Sequence, residues 1–88
     1  MKVLEENLTE SLVKLKEAMR NGVVEFTYLK KDGSERVAKG TLNSKIMGED
    51  NMPKGTMDYA SDSTTRYFDV NSNGWRSFSN VNLTNINF

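Results

Sequence analysis

The sequence predicts an α+β fold, mainly β: an N-terminal helix packed on a small five-stranded SH3/Sm-like barrel, in a single domain covering residues 1–88. Three observations lead there. The apolar spacing switches from a helical period to strict alternation at Gly22. Two hairpin turns follow, at Asp32-Gly33 and Asn73-Gly74, each with the Asp-Gly or Asn-Gly signature. A chain of 88 residues buries only about 60% of its unfolded surface, so the core is small and suits one curled sheet with one covering helix.

The helix is expected over residues 7–21. Leu4, Leu8, Leu12, Leu15 and Met19 are spaced by four, four, three and four, which is one helical stripe, and Val13 and Ala18 widen it. Asn7 with Glu10 fits a capping box, in which each side chain reaches a free backbone N–H. Lys16 and Arg20 complement the helix dipole near its end. Gly22 is expected to stop the helix in the left-handed conformation. Lys14, Lys16, Glu17 and Arg20 are either a binding face or the solvated side that any amphipathic helix presents.

The barrel is expected over residues 23–88. Val24, Phe26 and Tyr28 alternate with Glu25 and Thr27 as a half-buried strand. Lys31-Asp32-Gly33-Ser34 turns the chain into a partner strand from Glu35 to Leu42, where Ala38 and Gly40 mark a bend or a close backbone approach. Residues 43–64 carry no period and read as a long mobile loop, with room for a short element near Asn43–Gly48. Ile46, Met47, Met52 and Met57 in that loop either dock it on the body or form an adaptable contact surface. Strands resume at Thr65–Val70 and Trp75–Phe78 around Asn71-Ser72-Asn73-Gly74. Residues 79–82 make one tight turn, and Leu83–Phe88 closes the chain with Ile86 and Phe88 on one face. The helix would bury Leu8, Leu12, Leu15 and Met19 against Val24, Phe26, Val37, Phe68, Trp75 and Phe78.

Composition excludes much chemistry. With no cysteine, there is no disulfide framework, thiolate zinc site or cysteine nucleophile. With no histidine, the usual general base and the commonest metal ligand are missing. Twelve basic and twelve acidic side chains cancel, so net charge steers the chain toward no partner. The acidic clusters Glu49-Asp50 and Asp58 with Asp62 lie in the long loop, and an acid–base or cation site needs rigid support. No enzyme activity, metal or cofactor is therefore expected. No apolar run approaches the roughly 18 residues of a membrane span, and Met1–Glu6 has no signal-peptide core.

Val24-Glu25-Phe26-Thr27-Tyr28, Lys31-Asp32-Gly33, Arg36, Gly40-Thr41-Leu42, Pro53-Lys54-Gly55, Tyr67-Phe68-Asp69 and Gly74-Trp75-Arg76-Ser77-Phe78 together resemble a group of small Sm-like, SH3-barrel proteins related to the WYL domain. The resemblance covers roughly residues 23–88. It implies the barrel fold, and an origin in bacteriophages or gut Bacteroidetes, where such proteins occur. Full WYL domains belong to bacterial regulators thought to bind ligands or nucleic acid; their own tripeptide is replaced here by Arg66-Tyr67-Phe68.

Two functions fit these residues. Single-stranded nucleic acid is held by aromatic platforms beside positive charge. Tyr28, Tyr67, Phe68, Trp75 and Phe78 offer rings, and Lys30, Lys31, Arg36, Lys39, Arg66 and Arg76 offer charge on the same strands. Seven basic and four acidic side chains fall between residues 14 and 39, whereas residues 49–62 hold four acids and one lysine. Against this, aromatics in a small barrel are usually core, and Arg76 faces Asp69 across the second hairpin. The favoured expectation is a non-catalytic module that binds a host or phage protein in the bacterial cytoplasm, through the grooves and strand edges that SH3-type barrels present, with the Met-bearing loop and the last strand as the natural contacts. Tyr28, Lys31, Arg36, Arg66, Tyr67, Trp75 and Arg76 are the candidate binding residues for either partner.

Overall fold

A computed structural model describes residues 1–48 and 63–88. A 3₁₀ turn at Glu5–Asn7 leads into α1 (Leu8–Asn21), followed by β1 (Val23–Leu29), β2 (Glu35–Thr41) and a single helical turn, α2 (Ser44–Met47). Then come β3 (Thr64–Asp69), β4 (Gly74–Ser79), a 3₁₀ turn at Asn80–Asn82 and β5 (Leu83–Ile86). The five strands form one antiparallel sheet in the order β4-β3-β2-β1-β5. The expected helix and all five expected strands are present. The expectations for Met52, Met57, the two acidic clusters and the mobility of most of the long loop lie outside the described residues.

Alternation sets which side of the sheet faces α1. Val24, Phe26 and Tyr28 of β1 point inward, opposite Gly40, Ala38 and Arg36 of β2. Tyr67 of β3 and Phe78 of β4 face the same way. From below, Leu15 and Met19 of α1 close the core; like Phe26, Tyr67 and Ile86 they are wholly buried. The helix is tied down at its C-terminal end. Leu42 N–H donates to the Met19 carbonyl at 2.9 Å, and Thr41 Oγ1 lies 3.0 Å from that carbonyl and 2.8 Å from that of Gly22. This anchoring explains why the predicted stripe is deepest at Leu15 and Met19, while Leu8 and Leu12 are only partly buried and Leu4 is exposed.

Several local expectations are corrected. Asn7 does not cap α1: its Oδ1 accepts from Leu4 N–H at 2.7 Å, closing the preceding 3₁₀ turn, and Glu10 pairs with Lys14 at 3.1 Å instead. Gly22 has φ 175°, extended rather than left-handed backbone. In the first hairpin only Gly33 takes positive φ, at 87°, while Asp32 accepts from Ser34 N–H and Oγ. In the second, Asn73 is the left-handed residue at φ 53°, and Gly74 begins β4. Val37 points outward and is 62% exposed, because β2 turns its small residues, Ala38 and Gly40, to the core. Trp75 is half-buried on the sheet face away from α1, its ring 5.8 Å from that of Phe68. Phe88 lies past the end of β5 and is exposed, whereas Ile86 is buried.

Gly40 is the close approach that its sequence suggests. A Cβ there would stand 2.7 Å from Tyr67 Cδ2, 3.0 Å from Phe26 Cε1 and 3.2 Å from Met19 Sδ. Gly40→Ala is therefore expected to cost about 1–3 kcal/mol through overpacking. Gly22→Ala, whose Cβ meets nothing within 4 Å, is expected to be near neutral. Chemical denaturation of the two variants side by side checks the contrast, and equal costs would contradict it.

Candidate binding site

The inward rule that builds the core also builds a charged cluster at its rim. Arg36, Asp69 and Arg76 lie on the core-facing side of β2, β3 and β4, beyond the last apolar residue of each strand. The pairing Gly40↔Asp69 joins the two hairpins and brings the three together. Arg76 Nε donates to Asp69 Oδ2 at 3.0 Å, and Arg36 Nη2 lies 3.6 Å from the same oxygen. Asp69 Oδ1 accepts from the N–H groups of Asn71 and Ser72 at 2.9 and 3.4 Å, which shapes the second hairpin turn. Burial pushes the Asp69 carboxyl up, but those hydrogen bonds, with the nearby Arg76 charge, outweigh it and hold the group below the ordinary carboxylate value.

Beneath the cluster the hydroxyls of Tyr28 and Tyr67 meet at 2.8 Å. Burial, followed by this bond, pushes the Tyr67 hydroxyl far up, so it stays neutral. Both rings pack in the core, Tyr28 stacked 4.9 Å from Phe78 and Tyr67 edge-on 5.0 Å from Phe26. Tyr67, Phe68 and Phe78 are buried, and Tyr28 is only 6% exposed, so none of these rings is a stacking platform. For Tyr28 and Tyr67 this corrects the expected role: they close the core beneath the site.

Above them a groove runs between the β1–β2 hairpin and β4. Its wider part is a hollow of 380 Å³ lined by Tyr28, Lys30, Lys31, Asp32, Arg36, Arg76 and Ser77. A second hollow of 230 Å³ shares Tyr28, Lys30, Lys31 and Ser77 and continues past Ser79 to Asn82. Of the predicted residues, the fold thus brings together Tyr28, Lys31, Arg36 and Arg76. It takes Arg66 to the opposite face, with its guanidinium 5.4 Å from the Trp75 ring centre. Sequence reasoning saw Lys30 only as charge and Asp69 only as a hairpin partner; it missed Ser77 and Asp32 as groove residues. The two hydroxyl-rich turns signal nothing by themselves, since they converge only through the β2–β3 register.

The arrangement can bind an anion: among the described residues four cations surround the groove, and the carboxylates of Asp32 and Asp69 are engaged in holding turns and arginines. No helix among the described residues is long and apolar enough to cross a membrane. No curated protein and no solved structure matches the chain. The five-stranded antiparallel sheet with its N-terminal helix is that of a non-catalytic barrel fold, and residues 12–84 match the family described as WYL_2, Sm-like SH3 beta-barrel fold, to which the chain belongs.

Proposed function

We propose that the chain is a non-catalytic binding module that acts on a protein partner in the cytoplasm of a phage-carrying bacterial cell, through the groove between the first hairpin and β4. The observation that carries this reading is charge without platforms. Lys30, Lys31, Arg36 and Arg76 surround the groove, while the aromatics that line it among the described residues, Tyr28 and Phe78, are closed into the core. A polyanion reader would need stacking rings or a basic excess, and the chain has twelve charges of each sign. A protein surface needs only local complementarity.

The test is capture from host lysate with and without nuclease, using the wild-type chain and Lys30→Ala/Lys31→Ala. Both lysines are exposed at the hairpin tip, so the double variant is expected to fold normally. A protein retained after nuclease and lost by the double variant supports the reading. Capture that disappears with nuclease, and falls steeply as salt rises, supports a nucleic-acid partner in its place.

A further inference from the structure

We infer that the groove takes an extended acidic segment of the partner, laid along β4 as an added strand. This rests on the reading of the chain as a protein-binding module and names the kind of segment it binds. Three observations carry it. The first is the state of the sheet's two ends. Beyond β5 the chain covers its own edge: Val3 N–H donates to the Thr84 carbonyl at 3.0 Å, Ile86 N–H donates to that of Met1 at 2.8 Å, and the Met1 amine donates to that of Ile86. Beyond β4, among the described residues, there is no strand. A sheet edge binds extended chains through main-chain hydrogen bonds.

The second is the grading of the groove alongside β4. One end holds Lys30, Lys31, Arg36 and Arg76; the other is lined by Thr64, Ser77, Ser79 and Asn82 and, among the described residues, holds no acidic side chain. Successive side chains of an extended segment point to opposite sides, so alternate residues of an added strand would face this groove. Carboxylates at those positions meet the cations at one end and hydroxyl and amide donors at the other.

The third is Arg76 itself. Its Nε is occupied by Asp69 and by Ser72 Oγ at 3.3 Å, which fixes the guanidinium, and among the described residues its two terminal nitrogens have no hydrogen-bond partner. A guanidinium held from behind presents its remaining N–H groups to a carboxylate with little further ordering.

The test titrates a fluorescent octapeptide of alternating Glu and Thr into the full chain at low salt, reading anisotropy. Saturable binding is expected, weakened about tenfold by Arg76→Gln and several-fold by Lys31→Ala, which removes an exposed charge without touching the core. A Lys-for-Glu peptide is expected not to bind. Two further peptides carry N-methyl groups on the odd or on the even residues. An added strand tolerates one pattern and loses the other. Equal binding of both would overturn strand addition. No saturable binding of the Glu peptide at millimolar concentration would overturn the inference, while a nuclease-resistant partner lost by Lys30→Ala/Lys31→Ala would leave the protein-binding reading standing. Tighter binding of a thymidine oligonucleotide than of the peptide, with nuclease-sensitive capture from lysate, would overturn both.

Discussion

Phe26→Ala is expected to cost about 3–5 kcal/mol. The magnitude follows from where the ring sits. It is wholly buried, edge-on to Tyr67 at 5.0 Å and tilted against Phe78 at 5.5 Å, with Tyr28 at 6.1 Å. Its strand neighbours are Ala38 on one side and Ile86 on the other. The space left by the ring would be bounded on the β2 side by the Ala38 methyl and the bare Gly40 backbone, neither of which can swing in to fill it. A domain of this size has roughly 4–13 kcal/mol of total stability at about 0.05–0.15 kcal/mol per residue, so the variant should stand near the unfolding threshold. Urea denaturation followed by far-ultraviolet circular dichroism checks it. Trp75→Ala is the comparison: a half-buried ring on the far face should cost clearly less. The ranking reversed, with Trp75 the more costly, would move the centre of the core to the other side of the sheet.

The elements were legible because each rests on a local rule. The period switch at Gly22 separates α1 from β1 within a residue or two, and the turn chemistry around Asp32-Gly33 and Asn73-Gly74 places both hairpins. Gly40 was legible as a bend or a close approach, since a glycine inside a strand marks one or the other, and the neighbouring rings select the close approach. Sidedness was less legible. At Tyr67-Phe68 two adjacent rings compete for the inside, and alternation along β3 alone cannot choose between them. The choice is made by Gly40, whose missing side chain leaves room for the Tyr67 ring. On β2, hydrophobicity pointed to Val37 as the inward residue, but the space under the aromatic cluster accepts only Ala38 and Gly40.

The candidate site shows the same division. Its cations were visible in the sequence, since Lys30, Lys31 and Arg36 flank one turn and Arg76 follows the other. Their meeting was not, because it depends on the short β2–β3 pairing at Gly40↔Asp69 and Thr41↔Phe68, across a long and aperiodic segment. The rings misled for a chemical reason: tyrosine serves equally as a wet platform or as a core residue with a satisfied hydroxyl, and the Tyr28–Tyr67 bond supplies that satisfaction internally.

Asp69→Ala is expected to cost about 3 kcal/mol, the lower end of the range for breaking a buried ion pair. The carboxylate is nearly inaccessible, at 5% side-chain exposure, but Arg36 and Arg76 are 30% and 39% exposed and can turn to water once it is gone. What cannot be recovered is the second hairpin turn, where the N–H groups of Asn71 and Ser72 lose their acceptor. Asp69→Asn keeps an oxygen for those groups and loses only the charge facing the arginines, so its cost should be smaller than that of the alanine variant. The pH dependence separates the two contributions. The folded protein holds the Asp69 carboxyl below its ordinary value of 3.8. Its charge therefore stabilises the fold fully above that pH, and this contribution is lost as pH falls through the lower value of the folded state. The stability gap between wild type and Asp69→Asn should be constant near neutral pH and shrink below pH 3.8, whereas Asp32, exposed and bonded to Ser34 in both proteins, contributes equally and cancels. Denaturation midpoints measured from pH 7 down to the acid limit of folding read this directly. A gap unchanged throughout would show that the arginines gain nothing from the carboxylate's charge, and that Asp69 acts only as the acceptor that shapes the turn.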